Sequence, residues 1–217
     1  MRASPFSLDG KGGRAHAKDK HERKCMNLLL ALALALSMSA HAAKSETYKI
    51  DDKTSTITWE GRKLGGSHNG TLRVNSGTLE VEAGALKGGE VLIDMTTLKD
   101  LDLTDAEMNG KLVKHLKSED FFSIEKNPTS SLKITRVEMK DGKTQITGDL
   151  TIKGITKPVS FPAVVVVDQK HLTAKGTLEV DRTQFDIKFR SLKFFANIGD
   201  KVIKDQFAIG FDLQSTR

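Results

Sequence analysis

The stretch QFAIGFDL, residues 206–213, places Phe207, Ile209, Phe211 and Leu213 on alternate positions, with Gln206, Ala208, Gly210 and Asp212 between them. Successive side chains of a strand point to opposite faces, so a period of two predicts one apolar and one wet face. The same period recurs upstream. Leu172, Ala174, Gly176, Leu178 and Val180 alternate with Thr173, Lys175, Thr177, Glu179 and Asp181. Ile146, Gly148, Leu150 and Ile152 alternate with Thr147, Asp149, Thr151 and Lys153. Shorter runs of this kind lie at 56–61, 70–75, 77–83, 89–95 and 132–139.

Turn signals separate the runs. Asp141-Gly142 is a hairpin signal, because both positions tolerate the positive φ of a type I′ turn. Ser76-Gly77 and Gly88-Gly89 are expected to punctuate the earlier runs. Residues 159–167 are apolar at nearly every position, which predicts a strand covered on both sides, with Pro162 marking an edge or bulge. One segment has another period. Thr104 and Glu107 form a capping-box pattern, and Met108, Leu112 and Leu116 then repeat every four residues along one helix face. This predicts a short helix lying across one end of a barrel. Strands with one apolar face must bury those faces together, and closure removes exposed edges. The predicted fold is an all-β, antiparallel up-and-down barrel of about eight strands, with a two-sheet sandwich as the alternative.

The amino-terminal part reads as an address. Residues 28–36 are LLLALALAL, preceded by Lys20, Arg23 and Lys24 and followed by Ala40-His41-Ala42. This is the pattern of a secretory signal peptide, with cleavage expected near Ala42, leaving 1–43 as leader and 44–217 as one domain. The apolar run is too short for a bilayer span of roughly 20 residues. Met26 is a second candidate start. The expected location is periplasmic or secreted. The formal charge of the whole chain is +6, but the leader holds seven of the basic residues and three of the acidic ones. A body of charge about +2 offers no electrostatic footprint for nucleic acid. Cys25 is the sole cysteine and precedes the apolar run, so no disulfide or thiol chemistry is expected in the mature domain.

Several ordered motifs resemble one family. They are Tyr48-Lys49-Ile50-Asp51, Gly66-Ser67-His68-Asn69-Gly70, the segment from His115 to Phe122, the segment GDLTIKGIT at 148–156, the segment DRTQFDI at 181–187, and Gly199-Asp200 with Asp205. Across about Tyr48–Gln214 the chain is similar to the YceI-like family, a lipocalin-like group of secreted bacterial polyisoprenoid-binding proteins. It departs from the family pattern at Asn127 and Leu132, where aromatics are common. The resemblance implies a barrel whose interior holds an isoprenoid, isoprenoid quinone or fatty-acyl amphiphile. The expected lining is Trp59, His68, Leu72, Ile93, Phe161, Phe185, Phe207 and Phe211. Phe161, Phe185, Phe207 and Phe211, each taken alone, read first as core packing and jointly as a ligand lining. His68 reads either as a turn residue or as a head-group contact at the barrel mouth.

The expected partner is a small lipid, with no cofactor, no resident metal, no nucleic acid and at most transient membrane contact; a homodimer is compatible with the sequence. The alternatives are a filled-core protein that binds a protein partner, and an enzyme dependent on histidine or metal. No H-E-x-x-H, G-x-S-x-G or phosphate-loop pattern occurs. A zinc site from His68, His115 and His171 would have to be assembled in space. Arg182 is expected to clamp a turn or pair with Asp181, with an acidic head group as its second candidate partner.

Overall fold

The structure, a computed structural model, describes residues 44–217, so the leader and its cleavage site lie outside the described residues. Its strands are β1 (Ser45–Ile50), β2 (Thr56–Lys63), β3 (Gly66–Glu82), β4 (Ala85–Asp100), β5 (Thr129–Lys140), β6 (Lys143–Ile152), β7 (Ile155–Val167), β8 (His171–Asp181) and β9 (Ile203–Thr216). One helix, α1 (Ala106–Lys117), joins β4 to β5. Every pairing is antiparallel. Strands β2 to β9 each pair with the next in sequence, and β9 returns to β2, which closes an eight-stranded up-and-down barrel. Strand β1 is a ninth, set between the far end of β3 and the end of β9.

The period-two runs at 146–152, 172–180 and 207–213 are β6, β8 and β9, with their apolar sides inward. Asp141-Gly142 turns the chain with φ of 50° and 74°. Lys153-Gly154, inside the segment GDLTIKGIT, does the same at 53° and 75°. Two expected turns are corrected. Ser76-Gly77 lies within β3 and Gly88-Gly89 within β4; the real hairpin turn is Ala83-Gly84, with φ of 51° and 77°. Both long strands carry register shifts, between Val74 and Ser76 and between Glu80 and Val81. An extra residue in one strand flips the faces that follow it. The inward set of β3 therefore passes from even positions (Leu72, Val74) to odd ones (Leu79, Val81).

Strand β7 is not covered on both sides. Val164 and Val166 are exposed, while Phe161 and Ala163 are buried. Its ladder to β8 runs only over Ala163–Val167, so Pro162 stands where the strand leaves that neighbour, as a residue without an N–H must. In α1 the cap is Asp105 rather than Thr104: its carboxylate accepts from Met108 N at 2.8 Å. Glu107 pairs instead with Lys111 on the next turn. The buried stripe begins later than expected, since Met108 is 55% exposed while Leu116 is buried. Among the described residues no helix is long and apolar enough to cross a membrane, a statement that does not bear on strands.

Candidate functional site: an apolar channel through the barrel

The barrel interior is not filled. A cavity of about 160 Å³ is lined almost wholly by apolar side chains from β2 to β9, together with Leu116 of α1 and Phe121 and Phe122 just after it. On β9 the lining runs from Ile203 to Leu213. Ten residue steps at about 3.3 Å, with a strand tilt of about 40°, spread the lining over about 25 Å of the barrel axis. A round cavity of about 150 Å³ admits one benzene. The same volume drawn out over about 25 Å is a thread, wide enough for one unbranched or sparsely branched chain.

Of the expected lining residues, the structure brings six to this channel: Trp59, Leu72, Ile93, Phe161, Phe207 and Phe211. Except for Phe161, these inward side chains remain only partly buried, because the space in front of them is empty. Phe161 and Phe211 meet edge-on at 5.6 Å, and Phe122 closes on Phe207 at 6.4 Å. Trp59 donates its indole N–H to Lys99 O at 3.0 Å. Gly70 makes this possible, since a Cβ there would meet Lys99 O at 1.8 Å and Trp59 Nε1 at 2.7 Å.

Two expected residues lie elsewhere. Phe185 is fully buried in the 3₁₀ turn Arg182–Phe185 and does not reach the channel, because that turn breaks the strand period. His68 keeps the phase of Leu72 but sits near the start of β3, with its Nδ1 2.9 Å from Asp102 Oδ2. The sequence reading also missed Leu116, Phe121 and Phe122, which cap one end of the channel. Their signal was the segment His115–Phe122, recognised as a motif but not as lining.

Arg182 is a clamp. Its guanidinium donates to the carbonyls of Lys204, Ile187, Phe189 and Ile203 at 2.9–3.0 Å. Its charge faces Asp205 at 3.4 Å rather than Asp181, which caps Thr183 N and pairs with Lys193. Arg182 and Lys204 are the only charged residues of the lining.

The three histidines do not converge. His115 faces Asp120 and His171 faces Asp168. His68 instead groups with Asp100 and Asp102, whose ligand-type atoms lie within 4.8 Å of one another. Asp100 is only 6% exposed, and its Oδ1 accepts from Leu103 N and Asn109 Nδ2 while its Oδ2 has no partner. Burial pushes its carboxyl above the usual range, with the neighbouring Asp102 carboxylate adding to the effect. Asp102 is itself partly desolvated, yet the Asn69 N–H and His68 hold it below the usual range.

The channel and fold now stand beside known proteins. The YceI-like domain profile matches residues 48–215. A UPF0312 protein of Pseudomonas putida is 34% identical over 128 residues, 57% of this chain and 64% of that protein. A UPF0312 protein of Pseudomonas aeruginosa is 43% identical over 53 residues, 24% of this chain and 28% of the relative. The matches thus span between about a quarter and two thirds of these curated relatives' length. BcnA of Burkholderia cenocepacia superposes with a TM-score of 0.61 at 20% identity, covering 76% of this chain and 98% of BcnA. A polyisoprenoid binding domain from Saccharophagus degradans gives a TM-score of 0.54 at 10% identity, covering 78% and 97%. With a profile match over most of the chain and the same barrel in these neighbours, the chain belongs to the YceI-like domain family.

Proposed function

We propose that the barrel binds one linear apolar amphiphile, of prenyl, isoprenoid-quinone or fatty-acyl type, and does no chemistry on it. The observation that carries this reading is the channel itself: inward aromatic and aliphatic side chains left partly bare around a long, apolar space. Removing a chain from water supplies about 0.8 kcal/mol per CH₂, so affinity needs few polar contacts. The family neighbour that binds polyisoprenoid supports the prenyl class. A filled core would have covered Phe207 and Phe211. A reaction would call for titratable groups at the ligand, whereas the two lining cations are the carbonyl clamp Arg182 and Lys204 at the rim. The signal-like leader fits a periplasmic or secreted carrier, and the amino terminus of exported protein should then begin close to Ala43.

Trp59 supplies the test, being the only tryptophan and part of the lining. Titrating delipidated protein with a linear prenyl alcohol or palmitate should shift its emission saturably, at one equivalent. A bulky fused-ring sterol should not compete. Unchanged emission with every chain would overturn the reading.

A further inference from the structure

We infer that the segment between the 3₁₀ turn Arg182–Phe185 and β9 docks the barrel onto an anionic lipid surface. The docking stands on that segment alone. Its use, passing a chain between bilayer and channel, rests on the binding function proposed above.

Leu192, Phe194 and Phe195 are 63%, 48% and 46% exposed. They are held outward rather than left loose. Ser191 is fully buried, and its carbonyl accepts from Phe194 N and Phe195 N at 3.1 and 3.0 Å. Its hydroxyl accepts from Lys193 N at 3.2 Å. The Arg182 clamp fixes the base of the segment through Ile187 and Phe189. Leu64, also exposed, lies on the adjoining β2–β3 turn, where its N–H donates to Val202 O.

The charge around these apolar tips is net positive. Residues 186–205 carry Lys188, Arg190, Lys193, Lys201 and Lys204 against Asp186, Asp200 and Asp205; Lys188 pairs with Asp186, and Lys193 with Asp181 and Asp205. Arg190, Lys201 and Lys204 make no ion pair among the described residues. Lys188 Nζ lies 5.3 Å from the centre of the Phe194 ring, a cation–π contact, and also pairs with Asp186. Apolar tips ringed by cations suit a headgroup layer with acyl chains beneath it. A second copy fits poorly, because face-to-face pairing would oppose like charges. The location is also apt: Ile187, Ile203 and Lys204, from the same stretch, line the channel.

The experiment is co-sedimentation with vesicles made of equal parts phosphatidylcholine and phosphatidylglycerol, against pure phosphatidylcholine. The wild-type domain should partition onto the mixed vesicles, less so in high salt, and hardly onto the neutral ones. Phe194→Ser with Phe195→Ser, both at exposed positions, should keep the circular dichroism of the barrel and lower partitioning about tenfold. Arg190→Glu with Lys201→Glu, at two cations that make no ion pair among the described residues, should do the same. Phe207→Glu, which damages the channel, should sediment like wild type, so a failure of the ligand reading is distinguishable from a failure of this one. Wild type left in the supernatant, or a Phe194/Phe195 variant that binds equally well, would overturn the docking. A dimer abolished by that variant, without vesicle binding, would reassign the face to a second copy of the chain.

Discussion

The two ends of the barrel are built differently. At the end covered by β1, Tyr48, Val81 and Leu172 are fully buried in the core and do not line the channel. Tyr48 even donates its hydroxyl to Asp168 O at 2.7 Å. Toward the other end, Trp59, Leu72 and Phe207 point inward yet stay partly bare around the channel, with α1 and the clamped loop above them. The residue types are alike; what differs is whether something in the chain fills the space. The packed end contributes to stability, and the hollow end leaves apolar surface for a ligand to cover.

The largest effect should come from the Arg182 clamp at the hollow end. Replacing Arg182 with Met leaves carbonyls of Lys204, Ile187, Phe189 and Ile203 buried without donors, and should cost about 3–5 kcal/mol in urea unfolding. A cost under about 1 kcal/mol would mean that the clamp is dispensable. Next, Leu172→Ala at the packed end should cost about 2–5 kcal/mol, as cavity-forming core substitutions do. Phe207→Ala, of larger volume change, should cost less, under about 2 kcal/mol, because its ring already faces empty space. If Phe207→Ala proved the costlier of the two, the contrast between the ends would collapse.

The smallest effect is a pH dependence at Asp100. Its carboxyl titrates above the usual range because of burial, so the folded protein holds that proton more tightly than the unfolded chain. The resulting stability is present in acid and is lost as pH rises through the raised value. Asp100→Asn keeps an acceptor for Leu103 N and a donor toward Asp102, so it should remove this loss and be neutral or stabilising by up to about 1 kcal/mol at neutral pH. Thermal melts of both proteins across the acid-to-neutral range check the sign.

Much of this was legible in the residues. The alternation in β6, β8 and β9 fixed which side of each strand faces inward, and Asp141-Gly142 marked a true hairpin. What escaped has physical causes. Glycines serve turns and close approaches inside strands alike, so Ser76-Gly77 and Gly88-Gly89 read as turns while β3 and β4 ran through them with bulges. Hydrophobicity without alternation misled at Val164 and Val166, which are exposed. The sequence left His68 between a turn residue and a head-group contact at the barrel mouth; its partner Asp102 lies 34 residues away, which no local pattern reveals. Six of the eight expected lining residues reach the channel because strand phase is local; that the space between them is empty depends on all eight walls at once.

That emptiness is the central claim, and it is tested most directly by mass spectrometry of organic extracts from the mature domain purified in native form, against a mock preparation. The account predicts one chain-like prenyl or acyl lipid per protein, lost in a still-folded Phe207→Glu variant. Protein that carries no lipid, and whose melting point does not move when such chains are added, would contradict it.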